Sequence, residues 1–156
     1  MKLAEALINR ADAQKRVQQI QTRLARTIVV QEGENPPEDP TALQQELERA
    51  INVMTRLIKQ INRTNAATSF DANRTITDAL ADRDALGMRH KALTDITARA
   101  TAIAEQFRYS RAEIKQVSTV DVAALQRQVD DLARQYRELD TAIQQMNWTV
   151  DLMEDK

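Results

Sequence analysis

Cysteine is absent from this chain of 156 residues, and it holds only two glycines, three prolines and five aromatic side chains. Without cysteine there is no disulfide framework and no thiolate chemistry. With so few helix breakers among abundant Ala, Leu, Gln and Arg, the composition points to helix. Charge of one sign is also missing. Twenty-two basic residues against 23 acidic ones leave a net charge of −1, so no bulk electrostatic pull toward nucleic acid arises. Nowhere do 18 apolar residues run together, which excludes a transmembrane helix. The opening residues 1–10 read as the start of an amphipathic helix, without the apolar core and cleavage site of a signal peptide, so cytoplasmic residence is the expectation. The length suits one domain, here 1–156, able to bury a core of its own.

What is present is periodicity. Between residues 122 and 153 apolar side chains stand at Val122, Leu125, Val129, Leu132, Tyr136, Leu139, Ile143, Met146, Val150 and Met153. Steps of three and four alternate without a break, which is a heptad seam along a helix of about 45 Å. A strand would need period two. With Val122 at position a, the a sites are mostly β-branched and the d sites Leu or Met, the pattern of two-stranded coiled coils. Positions e (Gln126, Ala133, Asp140, Asn147) and g (Gln128, Gln135, Ala142, Thr149) are, Asp140 apart, small or neutral, and this lets more than one neighbour close in. The seam therefore predicts a bundle of long antiparallel helices, in one chain or across chains.

Three more helices precede it. Residues 2–31 carry an apolar face of Leu3, Leu7, Val17, Ile20, Leu24 and Ile28, with Gly33 suited to the C′ position that closes the helix. This helix has a surplus of basic residues and the last one a surplus of acids, so the two are expected to complement each other. After an acidic connection with Pro36 and Pro37, Asp39 and Pro40 supply an N-cap and an N1 proline. The second helix, 40–67, presents Leu43, Leu47, Ile51, Met54, Ile58 and Ile61. Asn65 extends that row with Asn62 one step away, and amides so placed set register when buried. Thr75 or Thr77 caps a third helix, 76–107, with Asp78 in its first turn. Gly87 in its middle costs roughly 1 kcal/mol of helix propensity and allows close approach of a neighbour. Residues 108–120 read as one short extended arm containing Tyr109 and Ile114. The last helix then covers 121–153.

Catalytic motifs are absent. The single histidine, His90, cannot support a paired Glu-x-x-His di-iron site or a zinc site, and there is neither a P-loop nor a Gly-x-Gly-x-x-Gly turn. No catalytic, cofactor-binding or metal-ligating residue is assigned. A charged group of Arg10, Asp12, Arg16, Asp82, Arg83 and Asp84 is placed between the first and third helices as an ion-pair layer. Arg10, Asp12 and Arg83 of this group, with Asn62, Asn65 and His90, form the candidate buried polar layer. An enzyme or metal protein using that layer is the alternative it leaves open. Trp148 falls at position f, opposite the seam. Aromatic rings are favoured at interfaces, so Trp148 is the leading interface candidate, with Tyr109 and Ile114 on the arm.

Several stretches carry a resemblance. The opening MKLAEAL with Arg10, Ala11 and Asp12, the stretches 30–34, 61–65 and 80–84, the arm from Arg108, and the end around Trp148 together resemble the septicolysin-like family of uncharacterised bacterial helical proteins. That resemblance implies a membrane-active cytolysin. The residues themselves support a non-enzymatic, self-associating structural or interaction protein: all-α, homo-oligomeric, without nucleic acid or cofactor, its small-molecule ligand, if it has one, unidentified.

Overall fold

A computed structural model of the chain describes residues 1–109, 114 and 116–154. It is all-α: α1 spans Leu3–Thr27, α2 Pro40–Ala67, α3 Ile76–Tyr109 and α4 Val122–Thr149. Packing divides the chain into two compact units, Met1–Ser69 with Gln144–Lys156, and Phe70–Ile143. Among the described residues no helix is long and apolar enough to cross a membrane.

In the first unit α1 and α2 lie antiparallel, because Arg16 meets Glu46 while Arg23, further along, meets Glu38 just before α2. Residues three and four apart point the same way on each helix. That spacing brings Leu3, Ala6, Val17 and Ile20 of α1, and Leu43, Leu57 and Ile61 of α2, into the buried core. The start of α2 follows the sequence: Asp39 Oδ1 accepts from the Thr41 amide at 2.9 Å and Pro40 stands in the first turn. The end of α1 does not. The helix stops at Thr27 rather than 31, and Ile28, expected on the apolar face, is an exposed C-cap. Thr27, Ile28, Val29 and Val30 are all β-branched, and such side chains lose rotamer freedom in a helix. Gly33, with φ of 89°, serves the turn closed by Glu34 N–H on the Gln31 carbonyl instead of capping α1.

The C-terminal part of this unit departs from the heptad reading at residue 150. There α4 gives way to an extended segment that pairs with the N-terminus. The Leu3 amide donates to the Val150 carbonyl at 2.9 Å and the Leu152 amide to the Met1 carbonyl at 2.8 Å. Lys2 Nζ reaches both the last helical carbonyl, at Thr149 (3.0 Å), and the Asp151 carboxylate (2.9 Å). A cation at a helix C-terminus is favoured by the helix dipole. Extended backbone alternates its side chains, so Leu152 is buried while Met153, assigned to the seam by heptad counting, is 42% exposed.

In the second unit α3 runs antiparallel to the α4 residues 122–143, as the Arg83–Asp140 pair and the approach of Gly87 to Tyr136 require. Thr75 is the cap: its N–H and hydroxyl donate to Asp78 Oδ2 at 2.8 and 2.7 Å, and the Asp78 amide returns a bond to Thr75 Oγ1. Asp121 Oδ1 caps α4 through the Ala124 amide. The seam is covered along the helix: Val129 and Ile143 are buried, and Val122, Leu125, Leu132, Tyr136 and Leu139 half-buried. The arm expected over 108–120 is shorter than that, since residues 108 and 109 belong to α3. Residues 110–113 and 115 lie outside the described residues, and 116–120 have no regular structure.

A Cβ built on Gly87 would meet the Tyr136 ring at 3.4 Å, ordinary contact. Gly87→Ala is therefore expected to stabilise the fold by about 0.5–1 kcal/mol through helix propensity. Urea unfolding followed by circular dichroism reads this directly; a destabilised variant would mean that the ring has no room to give.

Candidate functional site

Of the charged residues singled out by sequence, Asp12, Arg16, Asp82, Arg83 and Asp84 find partners within their own units. Asp12 is exposed and meets Lys15, one turn away on the same helix, at 3.6 Å. Arg16 meets Glu46, Asp82 meets Arg74 at 2.7 Å, and Arg83 meets Asp140 and Asp84, both at 3.0 Å. Within the first unit, the acids that meet α1's basic residues and Lys2 come from α1 itself, from α2 and its preceding connection, and from Asp151. Arg10 is half-buried on α1 and His90 half-buried on α3. Asn62 is exposed and so belongs to no buried layer. Asn65 is half-buried, and its Oδ1 is buried without a hydrogen-bond partner.

Two polar centres are built by the fold. In the second unit Arg74 bridges Asp71 (2.8 Å from Nε) and Asp82, and stacks over Phe70 at 5.3 Å. Asp71 Oδ1 accepts from the amides of Asn73 and Arg74, which fixes the turn before α3. The Arg74 side chain, followed by the Asn73 and Arg74 amides, holds the Asp71 carboxyl below its usual range. Arg83 is the more buried cation. Burial opposes its charge, but the carboxylates of Asp84 and Asp140 outweigh that and push its pKa up. Paired from both sides, this guanidinium joins α3 to α4.

In the first unit the polar centre is Thr64, fully buried. Its hydroxyl donates to the Gln60 carbonyl at 2.8 Å and accepts from the Met153 amide at 3.0 Å. Thr64 ties the C-terminal segment to α2. Asn147, placed at a seam-flanking position by heptad counting, is also buried. Neither was singled out from sequence, because a threonine or an asparagine on a helix carries no periodic mark of what crosses it.

Each resolved shift favours the charged form. Glu38, Asp78, Asp131 and Asp151 are held low by bonds from Arg23, the Thr75 amide, Arg134 and Lys2 respectively, and Arg23 and Arg134 are raised in return. A general acid or base near neutrality needs the opposite displacement, a carboxyl pushed up or a cation pushed down. Among the described residues no three of His, Cys, Asp and Glu stand where they could hold a metal ion.

Of the interface candidates, Trp148 is 57% exposed and Ile114 89% exposed; the side chain of Tyr109 lies outside the described residues. The apolar surface missed by sequence reading is the run of Ile28, Val29 and Val30, all exposed. Its signal was available: four consecutive β-branched residues at the end of a helix.

A model for a family of unknown function, DUF6847, matches residues 10–152. The crystal structure of a functionally unknown conserved protein from Corynebacterium diphtheriae superposes with a TM-score of 0.90 at 40% identity, covering 98% of this chain and 99% of that one. Among curated proteins nothing matches. These findings overturn the septicolysin-like resemblance: the matching family has no known function, and nothing in it or in the similar structure points to a cytolysin.

Proposed function

The chain belongs to the DUF6847 family, whose function is unknown, and from its own surface we propose that it is a non-enzymatic helical interaction protein that self-associates. One observation carries this. Among the described residues, Ile28, Val29, Met88, Ile114, Val117 and Trp148 are large apolar side chains each more than half exposed, and apolar surface left open in this way marks interaction sites.

The polar residues support the non-enzymatic part of the reading. Arg74 and Arg83 are engaged by carboxylates of their own unit, and their chemistry is that of pairing elements rather than of attacking a substrate. Light scattering on the purified chain tests the reading. A mass of at least twice the monomer at micromolar concentration is expected; a monomer throughout that range would overturn it.

A further inference from the structure

We propose that the segment following α1, centred on Val29, pairs antiparallel with the same segment of a second copy. The inference rests on the self-association reading and names its surface. Ile28, Val29 and Val30 are 60%, 77% and 40% exposed, and Val29 to Gln31 lie outside any helix. β-Branched side chains favour strand geometry, and an unpaired strand edge is a template for another chain. Among the described residues neither Val29 nor Val30 has a backbone hydrogen bond.

Register follows from one occupied donor. The Ile28 amide already bonds the Leu24 carbonyl at 3.0 Å, so it cannot serve a ladder. In an antiparallel pair, alternate residues exchange both N–H···O bonds with their opposite number. With Ile28 excluded, the exchanging residues are Val29 and Gln31; we place Val29 opposite the second copy's Val29, on the two-fold axis, where Ile28 then faces Val30 across it. Charge agrees with that arrangement. The segment is entered past Arg26 and left through Glu32 and Glu34. A two-fold axis at Val29 sets the basic end of each copy against the acidic end of the other, where a parallel pairing would set like charges together. Such self-complementarity is what a closed dimer requires.

The chain has no cysteine, so a single introduced thiol reports cleanly. Val29→Cys treated with a short bis-maleimide is expected to give covalent dimer at least tenfold faster than Val117→Cys, an equally open site. Val29→Pro, which removes the exchanging N–H, and Val29→Lys, which faces two ammonium groups across the axis, are each expected to raise the dimer dissociation constant at least tenfold with helicity unchanged. If the wild type is oligomeric while both variants associate as it does, and the two cysteine sites react alike, this pairing is wrong and association uses another surface. If the wild type is a monomer by light scattering, the pairing and the reading beneath it fall together.

Discussion

Ile20→Ala is expected to lower the free energy of unfolding by about 3 kcal/mol, within the 2–5 kcal/mol seen when buried isoleucine or leucine is cut to alanine. Ile20 is fully buried on α1, in the unit where that helix lies against α2. The loss has two parts. Three methyl or methylene groups no longer leave water on folding, and the two long helices cannot close onto the space without moving their other contacts. Ile20→Val, which removes one carbon, is expected to cost only about 1 kcal/mol. Urea unfolding at one fixed protein concentration separates these from any change in association. A loss below about 1 kcal/mol for the alanine variant would mean that the α1–α2 contact at Ile20 is not a packed core.

Ending the chain after Thr149 is expected to cost about 3–5 kcal/mol, an effect out of proportion to the few residues lost. Leu152 is buried, and its transfer from water contributes about 1.5–3 kcal/mol. The bonds from the Leu3 amide to Val150, from the Leu152 amide to Met1, and from the Met153 amide to Thr64 contribute about 1 kcal/mol each at most. Leu3, fully buried at the first turn of α1, is then expected to lose amide protection in hydrogen exchange. Ending the chain after Glu154 is the control and should change nothing measurable. The same segment carries a pH dependence. Lys2 holds the Asp151 carboxyl below its usual range, so the contribution of this ion pair is present above pH about 4 and is lost as acid titrates the carboxylate. Equal stability of the two truncations would show that residues 150–153 hang free.

Much of the fold was legible because helices write themselves in local spacing. Asp39 and Pro40 mark the start of α2, and the three-four alternation from Val122 to Met146 marks one unbroken face of α4. The errors cluster at helix ends. Ile28 and Met153 both continue a period, yet Ile28 caps α1 in the open and Met153 is turned outward by an extended backbone. A period predicts which face a residue would occupy if the helix went on; it is silent on whether the helix goes on. At Thr27 local crowding among β-branched side chains decides, and at Val150 the N-terminus does.

Helix, the face each helix turns inward, and the absence of thiol or spanning-segment chemistry were settled by the order of residues alone, since each depends on neighbours within a turn or two. Which carboxylate answers Arg83 or Arg16, why Thr64 and Asn147 are buried, and how Met1 comes to lie beside Leu152 were decided only by the folded chain. Those outcomes join residues from 30 to about 150 positions apart. No local pattern encodes such a meeting, because its energy exists only once the helices have been brought together.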